Sequence, residues 1–149
     1  MTQTIRALTL DLDDTLWPIW PAIERAEAVL HAWLAAHAPA TAGRYGIAAL
    51  RELCDAVGRS RGDWAHDLSA LRRESLRLAL ADAGDDPALA EPAFECFFAE
   101  RQKVDLFDDV LPALERLASR YPLLALSNGN ADIARIGLAR YFRGSLSAR

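Results

Sequence analysis

The sequence predicts an α/β fold in which a helical insertion interrupts a short parallel sheet. Two of the observations behind this are the short apolar runs at residues 5–10, nearly continuous, and 123–126, without polar alternation, each leading straight into a polar loop. That is the pattern of strands buried on both faces of a parallel sheet. The third is the stretch between them, which shows helical apolar spacing from about residue 17 to 103 and no strand pattern.

In the first run Ile5, Leu8 and Leu10 mix with Ala7 and Thr9, and the run ends in Asp11-Leu12-Asp13-Asp14-Thr15-Leu16-Trp17. Open parallel sheets bind ligands beyond the carboxyl ends of their strands. Asp11 and Asp13 therefore stand where a substrate can arrive. Their mutual repulsion is relieved by a cation, and a hard divalent ion such as magnesium takes oxygen ligands and brings a phosphate with it. Aspartate also favours turns and helix N-caps, so the pair by itself also fits an acidic turn.

Pro18 and Pro21 suit the opening of a helix, where a missing amide proton costs nothing. A helix over about 22–37 follows from the stripe Ile23, Ala26, Val29, Leu30, Trp33 and Leu34, and Pro39 and Gly43 break it. A second, over about 45–57, carries Ile47, Leu50, Leu53 and Cys54 and stops at Gly58. A third runs from about 64 to 83 through Leu68, Leu71, Leu76, Leu78 and Leu80, and ends at Gly84. Asp85 or Asp86 caps a fourth, with Pro87 in its first turn, Leu89, Phe94, Phe97 and Phe98 on its stripe, and an end near 102. Four such stripes can bury against one another as a small bundle.

Beyond them Asp108 or Asp109 caps a short helix through Val110, Leu114 and Leu117, closed by Tyr121-Pro122. The second apolar run then opens into Ser127-Asn128-Gly129-Asn130, with a helix expected over about 132–138. A hydroxyl and a carboxamide beside the amides of a helix N-terminus make a seat for phosphate. An ordinary polar strand-to-helix turn fits the same residues.

The chain of 149 residues has room for one domain, or a small core carrying an insertion. Its 52% hydrophobic and 26% charged residues are globular composition. A net charge of -4 and a pI near 5.3 give no basic footprint, so neither nucleic acid nor an anionic membrane surface is an expected partner. Cys54 and Cys96 form no CxxC pair and read as small core side chains. Without a signal-peptide pattern or a bilayer-length apolar run, the cytoplasm is the expected location.

Asp-x-Asp-x-Thr after a buried-strand pattern closely resembles the first motif of the haloacid dehalogenase (HAD) superfamily, most of whose members are phosphatases. The resemblance implies Asp11 as the nucleophile that takes up the phosphoryl group, Asp13 as general acid and base, and Thr15 as a phosphate contact or a brace for the loop. Members that dehalogenate carbon lack the second aspartate, so Asp13 points to phosphoryl transfer. Ser127, with Asn128 and Gly129 beside it, resembles the second motif, a phosphate contact. The implied fold is a partial Rossmann-like HAD core, residues 1–16 and 104–149, with a four-helix cap insertion at 17–103 that closes over the site and selects substrates. The implied cofactor is magnesium, held by Asp11 and Asp13.

Residues 123–131, with Gly137-Leu138 and Tyr141-Phe142, look like the bacterial YigB-type phosphatases, which act on FMN and a riboflavin-pathway phosphate. A phosphorylated small molecule, FMN or a riboflavin precursor, is thus the implied substrate. His66-Asp67 fits that resemblance as a cap-surface feature. As a metal-dependent phosphohydrolase motif the pair would need two further ligand segments, and neither His31 nor His37 fits such a role.

HAD enzymes also use a lysine and a later acidic pair, both expected after Ser127. From Asn128 onward there is no lysine and Asp132 is the only acidic residue; Lys103, the sole lysine, comes before the second strand, and Asp108-Asp109 reads as a helix cap. The sequence closes on Ser145-Leu146-Ser147-Ala148-Arg149, which looks like a third core strand. The expectation is an N-terminal portion of a phosphatase with little or no activity alone. The alternative is a non-catalytic remnant or interaction protein. In either case residues 5–10 should form an uncovered sheet edge, and a homo-oligomer is expected to cover it.

Overall fold

The computed structural model describes residues 4–64 and 66–147. Ala65 of the expected third helix, and Ala148 and Arg149 of the expected third strand, lie outside the described residues. The chain forms two compact units. One holds the chain up to Trp20 and again from Gln102 onward; the other runs from Pro21 to Arg101.

The first unit is built on a parallel sheet of β1 (Leu8–Leu10), β2 (Leu123–Ser127) and β3 (Gly144–Ser147), in the order β1-β2-β3. Leu8 pairs with Leu123 and Leu10 with Ala125, while Ser127 pairs with Ser147. Because side chains alternate along a strand, this register puts Leu8, Leu10, Leu123, Ala125 and Ser127 on one face. The other face carries Thr9, Leu124, Leu126 and Leu146. The first face packs on α6 (Val110–Ala118) through Val110 and Leu114, and on Ile133, Leu138, Tyr141 and Phe142.

The second face corrects the expectation of strands buried on both sides. Thr9 is exposed, and Leu126 and Leu146 are 51% and 65% exposed. An apolar run records which residues can be buried, whereas burial itself needs a covering layer, and among the described residues none lies on this face. The first strand is also shorter than its apolar run, with Ile5 61% exposed ahead of it.

The second unit contains most of α1 (Ile19–His37), with α2 (Pro39–Arg44), α3 (Ile47–Ser60), α4 (Leu68–Ala83) and α5 (Ala90–Arg101). Its core joins Leu30 and Leu34 to Leu50, Leu76, Leu80 and Phe94. Burying each such side chain is worth about 2 kcal/mol. The four long helices are those the apolar spacing predicts, and α2 is an addition. Pro39 sits at its first position, where a helix loses no hydrogen bond to proline, so this residue opens a helix as well as closing one.

Capping also differs in detail. Asp86 caps the turn Pro87–Leu89, its Oδ1 accepting from the Ala88 amide at 2.9 Å. Asp85 instead reaches across to α2, where its Oδ2 accepts from both the amide and the hydroxyl of buried Thr41, each at 2.7 Å. Asp67 caps α4 by accepting from the Ala70 amide at 2.9 Å, and its neighbour His66 is exposed. Asp109 occupies the N-cap position of α6 without a side-chain cap bond. Cys54 and Cys96 are half-buried thiols and not the core side chains expected of them. Among the described residues no helix is long and apolar enough to cross a membrane.

Candidate active site

The carboxyl end of β1 runs into a loop that is held almost entirely by its own residues. The Thr15 and Leu16 amides both donate to the Leu12 carbonyl, at 3.1 and 2.8 Å, and the Asp14 amide donates to the Trp17 carbonyl at 2.8 Å. Asp14 takes a left-handed conformation with φ 59°, which aspartate tolerates better than most residues because its short side chain can bond locally. It does so here, its Oδ1 accepting from the Ile19 amide at 3.0 Å at the start of α1. Leu12 and Trp17 point into the core, at 1% and 0% exposure, and anchor the loop from below.

On this frame each acidic side chain has a fixed neighbour. The Thr15 hydroxyl donates to Asp11 Oδ2 at 2.8 Å, so of the two roles expected for Thr15 the bond describes the brace. Oδ1 of Asp11 takes no part in that bond. The Trp17 indole N–H donates to Asp13 Oδ1 at 2.9 Å, and Asp13 is half-buried. Asp11 itself is exposed, beside the end of β2.

Asp11, Ser127 and Asn128 line one open crevice of about 690 Å³ at the strand ends, together with Leu126, Leu146 and Ser147. The first and second polar loops of the sequence thus meet where open parallel sheets place ligands. Asp13, Thr15 and Gly129 are not on the crevice wall. Gly129 is buried and donates its amide to Ser127 Oγ at 3.0 Å, which leaves the Ser127 proton to be donated elsewhere.

The helix that follows does not supply the expected anion seat. It is a single turn, α7 (Ile133–Ile136), and the Asp132 carboxylate accepts from the amides of Ala134 and Arg135, at 2.9 and 3.3 Å. A carboxylate already occupies its N-terminus, so a phosphate would meet repulsion there instead of free donors. Of the second loop, Ser127 and Asn128 are the polar residues that line the crevice.

Two polar residues to which the sequence assigned no role are buried here. Gln102 and Asn130 are 4% and 7% exposed. Gln102 Oε1 accepts from the Asp132 amide at 2.8 Å, and its Nε2 donates to the Asn130 carbonyl at 3.4 Å. Asn130 lies in the loop already singled out, but nothing near Gln102 marked it. The bond spans 30 residues and belongs to tertiary structure alone.

Two of the histidines, His31 and His37, contact backbone carbonyls. His31 Nε2 lies 3.1 Å from the Tyr45 carbonyl, and His37 Nδ1 lies 2.9 Å from that of Trp33. No group of three or more His, Cys, Asp and Glu side chains that could hold a metal occurs among the described residues.

Comparison with known proteins gives a consistent family. The chain is 34% identical over 148 residues to 5-amino-6-(5-phospho-D-ribitylamino)uracil phosphatase YigB of Escherichia coli (strain K12), covering 97% of this chain and 62% of that protein. It is 44% identical to a solved 2-haloacid dehalogenase from Pseudomonas syringae pv. Tomato DC3000, with a TM-score of 0.89 over 97% of this chain and 64% of that one. The HAD-hydrolase YfnB of Bacillus subtilis, at 15% identity and a TM-score of 0.55 over 96% of this chain and 65% of that one, shares the fold. The chain thus spans less than two thirds of the length of these relatives. The model of the haloacid dehalogenase-like hydrolases matches residues 5–148, and the chain belongs to that hydrolase family.

Proposed function

We propose that this chain carries the nucleophile half of a phosphomonoesterase site. The observation that supports it most is the meeting of Asp11 with Ser127 and Asn128 at the strand ends, with Thr15 holding one Asp11 oxygen. In this reading Oδ1 of Asp11 attacks phosphorus and the bond to the leaving oxygen breaks, giving an aspartyl phosphate. Asp13 gives its proton to that oxygen. It then takes a proton from the water that releases phosphate and restores Asp11. Ser127 and Asn128 bind the phosphate oxygens beside it, with Gly129 holding the Ser127 hydroxyl.

The second aspartate favours this over carbon–halogen cleavage, since a departing halide needs no proton and a departing alkoxide does. Likeness to the riboflavin-pathway phosphatase supports a phosphorylated small molecule as the substrate, with FMN or a riboflavin precursor as the first candidates.

Hydrolases of this superfamily generally use magnesium. Magnesium sites are commonly built from one or two carboxylates completed by water and substrate phosphate, and Asp11 and Asp13 suit such a site. When bound, the ion would offset charge on the phosphoryl group. Calorimetric titration with magnesium is expected to give a heat in the native chain that is lost in Asp11→Asn; superimposable traces would remove this loop as a metal site.

A second reading, self-association, is favoured by the uncovered sheet. Among the described residues strand β1 pairs with β2 and has no neighbour on its other side, and Leu126 and Leu146 stand open on one face. Parallel sheets are ordinarily covered on both faces, and an open apolar edge invites pairing. A second copy, arranged symmetrically, is the proposed cover. Sedimentation at several concentrations should then show a dimer that Ile5→Lys or Leu146→Lys dissociates. A native chain that stays monomeric at high concentration would end this reading.

A further inference from the structure

We infer that Gln102 is a positioning residue for the loop that carries Ser127 and Asn128, an inference that rests on the phosphomonoesterase reading above. Gln102 is the first residue after α5, where the chain returns from the helical unit, and its side chain is almost completely buried. Burying a carboxamide is unfavourable unless its oxygen and nitrogen are both matched. Both are matched by one short segment of backbone, Asn130 to Asp132.

The orientation of the amide is fixed by chemistry. The Asp132 N–H can only donate, so the group 2.8 Å from it is the Gln102 oxygen, and the NH2 group must then face the Asn130 carbonyl. These contacts bracket Ala131, itself 6% exposed. The segment is held on both sides of the bracket: upstream the Gly129 amide bonds to Ser127 Oγ, and downstream Asp132 caps α7. Protein groups therefore hold the loop in its bent form before any anion arrives, as a binding site that must not reorganise on use requires.

The direction of the Ser127 hydroxyl depends on this hold. The hydroxyl oxygen accepts from Gly129, one residue before Asn130, so a loop that slides at Asn130 turns the Ser127 proton away from the crevice. Gln102 acts through that loop and touches no ligand.

Two variants test it, Gln102→Met, which keeps the length and apolar bulk but has no oxygen, and Gln102→Glu, which keeps the oxygen facing Asp132. The probe is inorganic phosphate with magnesium, followed by amide NMR shifts of Ser127, Asn128 and Gly129. Hydrogen exchange at the Asp132 amide and thermal unfolding are measured alongside. In Gln102→Met, exchange at Asp132 should quicken and phosphate affinity should fall about tenfold, the size of a lost hydrogen bond to a site that must stay ordered. Gln102→Glu should recover the exchange protection at Asp132, which needs only the oxygen, but little of the affinity, because its second oxygen faces the Asn130 carbonyl in place of a donor. A native chain that binds phosphate and a Gln102→Met chain that binds it equally well would sink this inference and leave the phosphomonoesterase reading standing. No phosphate-induced shift in the native chain would sink that reading, and the inference with it.

Discussion

Asp11→Asn is expected to abolish phosphomonoester hydrolysis, lowering whatever single-turnover rate the native chain shows by at least about 10³-fold, the scale on which removal of a nucleophile is felt. The change is nearly isosteric, and the amide oxygen can still accept from Thr15, so the loop should remain folded. What is lost is nucleophilicity at the carboxylate oxygen that forms the covalent intermediate. The measurement uses enzyme in excess over p-nitrophenyl phosphate, and acid quenching to look for an acid-stable, hydroxylamine-labile phosphate. An Asp11→Asn rate equal to the native one would take Asp11 out of the chemistry.

Glu27→Ala is expected to destabilise the helical unit by about 3 kcal/mol, read as a lower urea midpoint. Glu27 is 4% exposed on α1 and faces two cations. The Arg51 Nε donates to Glu27 Oε1 at 3.1 Å and its Nη2 binds the other carboxylate oxygen, while Arg72 Nη2 lies 3.8 Å away. The carboxylate holds the Arg51 guanidinium above its usual pKa through that hydrogen bond. Removing it leaves Arg72, with its side chain only 13% exposed, facing no anion at this point, although its guanidinium still lies 4.4 Å over the Phe97 ring. Breaking a buried pair costs about 3–5 kcal/mol, and the lower end applies because the Arg51 side chain is 38% exposed and can return to water. Glu27→Gln should lose less, since its oxygen still accepts from Arg51. An unchanged midpoint in Glu27→Ala would mean that these charges are already solvated in the folded chain.

The sequence showed most clearly what is local and repeated. Apolar spacing marked the four long helices, and two short apolar runs, the first nearly continuous and the second unbroken, marked β1 and β2 together with the loops that bring Asp11 and Ser127 to one crevice. It did not show which partners distant groups would choose. Asp85 and Asp86 are equivalent as text, yet one caps the turn that follows while the other crosses to Thr41, because only the folded chain brings the α2 amide within its reach. Asp132 was legible as acidic, but not as the group that occupies the α7 amides and so removes the expected anion seat. Gln102 carried no local signal at all. The exposed face of the sheet was misread for a related reason: Leu126 and Leu146 are apolar whether or not anything packs on them.

The topology also sets the order in which structure can form. Leu8 bonds into a ladder with Leu123, more than a hundred residues later, and the whole helical unit lies between. During synthesis that unit is complete before β2 exists, and because domains fold as they emerge it can settle first. Its compaction draws the distant ends together, so the loop that remains to be closed is effectively much shorter than the sequence separation. Until then the nascent chain carries Leu8 and Leu10 as an unpaired strand ahead of an already folded bundle. For the interval between translation of Arg101 and of Ser127, avoiding aggregation depends on keeping one three-residue strand out of contact with its neighbours.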